Sequence, residues 1–313
     1  MILCALALAV AVVISLSMGL QPSVGQGTGV FFTLGTSLIQ AGPLSAAINL
    51  ACLLATGGIM LALNKVFSYV RAVTHLFVSA FFLLQLAHPA GLVAFNAGTL
   101  LCLVTAVAML PLFASYQDRH SQRSIFLIFA LVATGSMFHY GFFALIPAFV
   151  LGFLNMGVLD LKGLLAMSFG LVTPFWITLG LGLASPADLV LPQLDGIWHL
   201  ASQPWTRLVL VQAVLFGLLG IILAVMNLMT IMNYRLQTRV YNAFMVFALV
   251  MMVIAMCVDF GNVAVYLPLL SLMTAVQIAH VHTLRATLRY RYIFVLLLIA
   301  VCVGLLAANL TMP

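Results

Sequence analysis

Between Arg207 and Arg235 the chain reads LVLVQAVLFGLLGIILAVMNLMTIMNY (residues 208–234), 27 residues without a single charge. A helix crossing the hydrocarbon core of a bilayer needs about 20 apolar residues, with a range of about 17–25. The stretch is therefore one membrane-spanning helix with a basic residue at each end. The same ruler extends in both directions. The other charge-free intervals are 1–64, 72–117, 124–159, 163–187, 240–258, 260–284 and 292–313. The first three are long enough for two helices each, and every other interval holds one, which predicts eleven spans. Hydrophobic residues make up 65% of the chain and charged residues 5%. Soluble domains carry about 45–50% and about 25%, so a water-facing fold is excluded, as are a disordered chain and a nucleic-acid partner. The expected fold class is all-α: one polytopic integral membrane domain over residues 1–313, with about eleven transmembrane helices and no soluble domain.

The distribution of charge, which did not enter that count, supports it. Eleven alternating spans collect Lys65, Arg71, Arg119, Arg123, Lys162, Arg235, Arg239, Arg285, Arg289 and Arg291 on one side, and leave only Arg207 opposite. By the positive-inside rule the basic side is cytoplasmic, so the N-terminus lies inside and the C-terminus outside. Asp118 and Asp160 fall among the basic loops; Asp188, Asp195 and Asp259 fall on the side of Arg207. The third span (72–87) and the fifth (124–138) are the shortest, turning at His88-Pro89-Ala90-Gly91 and His139-Tyr140-Gly141, and either hairpin could be re-entrant. Residues 1–18 are apolar but have no basic flank, and read as a retained first span rather than a signal peptide.

Two outer segments are long enough to build on. Residues 20–42 are rich in Gly, Thr and Ser around Val30-Phe31-Phe32, and contain no acid. Residues 185–206 hold three prolines, Trp198 and Trp205, and read as one or two interfacial helices. Within them Asp195 and His199 stand four apart. On a helix they share a face, where a carboxylate fixes the imidazole tautomer and raises its pKa. With Trp198 and the nearby Arg207 they form a candidate substrate-binding set, the plainer alternative being an interfacial anchor. On the basic side His282, Arg285 and Arg289 share a helix face, and Arg235 and Arg239 are an i,i+4 pair. These five are candidates for contact with a phosphate or an anionic headgroup, the alternative being a topology signal alone.

Motif searches exclude much. There is no Glu, no P-loop, GxGxxG, HExxH or GxSxG, and the five cysteines lie scattered in apolar runs. No catalytic residue, metal site or cofactor is predicted. No acid falls at mid-span, which argues against an ion-coupled transporter. The mid-span polar groups Asn49, Gln85, Asn96, Gln212, Asn227, Ser271, Thr274 and Gln277 are expected to make helix-packing hydrogen bonds. Pro147, Pro174 and Pro268 are expected to kink their helices.

The stretch Leu154-Asn155-Met156-Gly157-Val158-Leu159-Asp160-Leu161-Lys162-Gly163, then Ser168-Phe169-Gly170-Leu171-Val172-Thr173-Pro174-Phe175, resembles a Bacteroidota family of polytopic inner-membrane proteins of unknown function. The Arg235–Arg239 loop, Tyr266-Leu267-Pro268-Leu269 and the basic 285–291 segment are similar to that family's C-terminal third. The layout of a first span, an outer loop and many apolar hairpins also resembles polyprenyl-phosphate-sugar glycosyltransferases of the GT-C type. Those enzymes carry an acid in the first outer loop, whereas residues 20–42 have none. The resemblance implies a noncatalytic envelope protein of the bacterial inner membrane that handles a lipid-linked, polyprenyl-type substrate or supports an enzyme that does. Were the chain an enzyme, it implies GT-C glycosyl transfer. Its partners would be membrane lipids, a lipid-linked sugar or another membrane protein. The competing expectations are a small-molecule transporter or permease component, and a structural subunit of a larger complex with Met245–Met256 as a contact face.

Overall fold

A computed structural model describes residues 1–20, 29–32, 42–70, 74–118, 120–192, 204–230, 235–284 and 288–311. Eleven α-helices occur among the described residues, and no strand. They are α1 (Ile2–Ser17), α2 (Pro43–Phe67), α3 (Leu76–Leu86), α4 (Ala97–Ala114), α5 (Gln122–Phe138), α6 (Leu145–Asn155), α7 (Leu161–Gly180), α8 (Pro204–Thr230), α9 (Leu236–Val258), α10 (Val263–Leu284) and α11 (Leu288–Thr311). Each falls where the charge-free intervals put a helix. Seven of them (α2, α4 and α7 to α11) are long and apolar enough to cross a membrane. The other four are shorter. In the first weak hairpin α3 is the short member, with 11 residues. In the second both members are short, the fifth as the sequence suggests and the sixth as well: α5 has 17 residues, and α6 has 11 and is preceded by a 3-10 turn at Tyr140–Ala144.

Local chemistry sets several boundaries. Pro43 opens α2, where its missing N–H costs nothing, and Ser68 closes that helix in the left-handed region at φ 49°. Asn96 caps α4 by accepting from the Thr99 N–H at 2.9 Å. Asp160, read from sequence only as a charge in a basic loop, caps α7 by accepting from the Gly163 N–H at 2.6 Å.

Contacts between loops sort the helix termini into two ends. At one, the Tyr241 hydroxyl donates to the Phe113 carbonyl, Asn155 to the Val240 carbonyl, and the Gln117 N–H to the Met156 carbonyl. This end carries Lys65, Arg123, Lys162, Arg235 and Arg239, and we call it the basic end. At the other, Val30 and Phe32 donate to the Ser136 and Met137 carbonyls, and Val190 donates to Val30. Phe32 stacks on Phe138 at 5.4 Å and Phe31 meets Phe175 at 6.0 Å, so the apolar patch of the first long loop seals the tops of α5 and α7. Arg207, in the first turn of α8, belongs to this second end.

Helix α10 is the centre of the bundle, packed against α3, α4, α8 and α9, whereas α7 and α11 are peripheral. Around it the mid-span polar side chains do what a dry interior requires: they satisfy backbone groups that helix geometry leaves open. Helix α3 stops early at His88-Pro89, and the buried segment that follows has carbonyls without helical partners. Asn49 donates to Gly91 at 3.0 Å, Asn96 donates to the same carbonyl at 3.0 Å, and the amides of Gln212 and Asn309 converge on the Ala87 carbonyl. Gln85 reaches the Pro268 carbonyl at 3.3 Å. Irregular backbone is tolerated at such a place because four other helices supply its hydrogen bonds. Between α8, α9 and α10 three buried amides close on one another. Asn227 Nδ2 donates to Asn242 Oδ1 at 3.0 Å and to Gln277 Oε1 at 3.1 Å, and Gln277 Nε2 donates to Asn242 Oδ1 at 3.2 Å. Asn242 was not among the polar residues singled out by sequence.

Candidate functional site

The end that carries Arg207 holds two cavities, one on each flank of the last turns of α9. The first, of about 360 Å³, runs between α8 and α9 and is wholly apolar, with Leu210, Val214, Gly217 and Ile221 along one wall and Val253 and Phe260 facing them. The α8 residues follow one helical stripe, and Arg207 precedes Leu210 by three positions in the chain. The groove therefore begins about one helical turn along α8 from Arg207, the one lysine or arginine at this end among the described residues. Gly217 keeps it open: a methyl there would only touch Val253 at 3.6 Å, but a long side chain would fill the space.

The second cavity, of about 330 Å³, is lined by Tyr140, Phe143, Pro147, Pro192, Asp259 and Tyr266, among others. Its chemistry centres on the turn from α9 to α10. Asp259 follows the last residue of α9 and a 3-10 turn, Phe260–Asn262, leads into α10. The turn folds the Asp259 side chain inward, leaving it 5% exposed. Its carboxylate accepts from the Tyr266 hydroxyl at 2.7 Å and from Asn262 Nδ2 at 2.9 Å and 3.2 Å. Two donors that favour the charged form offset part of the cost of taking the carboxylate out of water. The Tyr266 ring is fixed in turn by the His139–Gly141 turn, since a side chain at Gly141 would press on it at 3.0 Å. His139 is itself buried in that turn. Its Nδ1 accepts from the Gly141 N–H at 2.9 Å, which leaves the proton on Nε2.

The residues singled out by sequence are distributed unevenly over this geometry. Asp195, Trp198 and His199 lie outside the described residues, so the proposed Asp–His pair does too. The described part of the 185–206 segment holds an exposed 3-10 turn at Pro186–Asp188, where Asp188 accepts from the Ser185 N–H at 2.8 Å, and the first residues of α8. Arg207 is the one member of that set with a place in the fold. At the basic end Arg285 lies outside the described residues and Arg289 opens α11. Arg235 stands exposed at the start of α9, with Arg239 one turn on, and His282 lies in the last turn of α10, so three of the five cap two neighbouring antiparallel helices at the same end.

Asp259 and Tyr266 were visible in the sequence only as a loop acid and part of an apolar motif. The signal was their spacing across a four-residue turn between two spans. Comparison of the chain with protein-family models, with curated proteins and with solved structures finds no match in any of the three.

Proposed function

We propose that this chain is an inner-membrane protein of the bacterial cell envelope that holds a lipid-linked, phosphate-bearing substrate in the groove between α8 and α9. The observation that carries this reading is the pairing of a wholly apolar groove with Arg207, the one lysine or arginine at its end among the described residues. From Leu210 to Ile221 the groove follows α8 for twelve residues, whose eleven rises span roughly 16 Å. That is about half of the ~30 Å hydrocarbon core, the depth of one leaflet. A prenyl or acyl tail laid in it would bring its phosphate to the level of Arg207, where a guanidinium can bind it in bidentate fashion. A positive-inside bias does not account for a basic residue at that end, whereas a phosphate does.

In this reading the eleven helices alternate across the membrane, with the basic end cytoplasmic and the N-terminus inside. The short α3 and α6 complete their crossings with buried irregular turns. A reporter fused after Arg123 should then read cytoplasmic and one within 185–206 external. Finding 185–206 on the cytoplasmic side would overturn the orientation.

The groove is tested by weighing the lipid that copurifies with the detergent-solubilised chain. Gly217→Ala should retain bound anionic lipid, because its methyl makes an ordinary contact. Gly217→Phe should lose most of it, and Arg207→Gln should lose it in favour of neutral lipid. Full retention by Gly217→Phe with an unchanged unfolding temperature would dismiss the groove as a lipid site.

A further inference from the structure

The start of α5, at the basic end, has a chemistry of its own, far from the groove. In an α-helix the N–H groups of the first turn have no intrahelical acceptor and call for a cap. At α4 the Asn96 side chain supplies one, and at α7 the Asp160 carboxylate does. At α5 the cap position is held by Ser121, whose side chain makes no capping hydrogen bond, and no acid stands in the first turn. With φ −84° and ψ 21°, its backbone is out of the extended conformation that turns a serine hydroxyl onto its own helix. Ser121 is nevertheless only 5% exposed, and its buried hydroxyl has no hydrogen-bond partner among the described residues. That hydroxyl, and the N–H groups of Arg123 and Ser124 that it would otherwise cap, are donors gathered at one point of the fold. A buried donor left so is costly. Arg123 is exposed, and it places a cation at a helix N-terminus, where the macrodipole disfavours one.

A second cation stands close by. A methyl at Gly163 would lie 3.0 Å from Ile125 Cδ1, so the first turns of α5 and α7 are side by side. Lys162, exposed in the first turn of α7, therefore joins Arg123 at this corner. The acids of the two loops are turned onto backbone donors of their own. Asp118 accepts from the His120 N–H at 2.9 Å, and Asp160 from the Gly163 N–H at 2.6 Å. Donors in need of an acceptor, beside two cations, suit an anion. A phosphate has oxygens enough for the hydroxyl, the N–H groups and a guanidinium together.

We infer that the start of α5 is a binding site for a phosphate group, with the Ser121 hydroxyl and the first-turn N–H groups as donors and Arg123 and Lys162 as counter-charges. The site is independent of the reading of the α8–α9 groove. Its phosphate could belong to the headgroup of an anionic lipid or to a soluble phosphate ester, since both present the same oxygens.

The test reads the site locally, by hydrogen exchange of the backbone over residues 122–126, in the full chain held in phosphatidylcholine nanodiscs. Inorganic phosphate at constant ionic strength, or replacement of part of the lipid by phosphatidylglycerol, should slow this exchange at least about 10-fold, the effect of one hydrogen bond to a charged group. A response to inorganic phosphate assigns the site to a soluble ligand, and a response to phosphatidylglycerol alone assigns it to a headgroup. Ser121→Ala should remove most of the slowing. Because the hydroxyl has no partner in the fold itself, that variant should keep or raise the unfolding midpoint in detergent, which a structural role would lower. Arg123→Gln should weaken the ligand about 10-fold and gives a second reading if Ser121→Ala fails to fold. Lys65→Gln, at the same end but on α2, should change nothing. Exchange that neither ligand slows would overturn the assignment, as would full slowing in either site variant or an equal loss in Lys65→Gln.

Discussion

Replacing Gly98 with alanine should lower the stability of the bundle by about 3 kcal/mol, the upper part of the usual range for overpacking. Gly98 lies in the first turn of α4, where that helix meets the first turn of α10 backbone to backbone. A methyl at 98 would run into the Val265 carbonyl oxygen and would sit 3.0 Å from Val265 Cα. Neither atom can rotate away, so the two helices must separate. The separation would also disturb the Gln85 and Cys102 contacts to the Pro268 carbonyl one turn along. Alanine's better helix propensity, worth ~1 kcal/mol, is too small to compensate. Gly58 and Gly304 make the control, since nothing lies within 4 Å of a methyl at either position. Alanine there should be neutral or slightly stabilising. The measurement is the unfolding midpoint of each variant in detergent; a Gly98→Ala protein as stable as Gly58→Ala would show that α4 and α10 do not approach this closely.

The second large effect is expected at Tyr241. This fully buried ring stacks on Phe113 at 4.2 Å with planes 21° apart, and the edges of Phe67 and Tyr116 close around it at 6.1 Å and 5.9 Å. Its hydroxyl donates to the Phe113 carbonyl at 2.9 Å, in the last turn of α4, and accepts from Gln237 at 2.7 Å. One side chain thus joins α2, α4 and α9 at the basic end. Tyr241→Ala should cost about 3 kcal/mol, the low end for loss of a buried aromatic. The low end applies because lipid tails solvate apolar groups as well as a protein core does, so the loss is mainly one of packing. Tyr241→Phe keeps the stack and removes only the hydrogen bonds, and should cost about 1 kcal/mol. Denaturant unfolding of the three proteins separates the contributions. If phenylalanine cost as much as alanine, the hydroxyl rather than the stacked ring would hold this end together.

What the sequence determines here is local and one-dimensional. Charges are expensive in hydrocarbon, so the intervals between them give the helices, and all eleven appear where those intervals place them. Alternation then assigns each loop to an end, and the observed contacts, from Val30 on Ser136 to Tyr241 on Phe113, group the loops in the same way. Arg207 was legible for this reason, as the one cation out of place.

Which face of each helix is buried was not legible. In water, burial follows hydrophobicity, but these helices are apolar all round, and lipid is as good a solvent for leucine as the core is. The outcome even runs against hydropathy: α10, the less apolar helix, has 94% of its spanning stretch buried, and the more apolar α11 has 11%. Polar side chains such as Gln277 and Thr274 draw α10 inward because they need partners. Those partners, Asn242 and Asn227 for Gln277 and the Phe216 carbonyl for Thr274, come from the two preceding helices, 35 to 58 residues away in the chain. The same holds for Asp259. Its position in a short turn could be read directly, but its burial against Tyr266, under rings supplied by the α5–α6 turn, exists only once α6, α9 and α10 have packed, because no local pattern records which distant surfaces will meet.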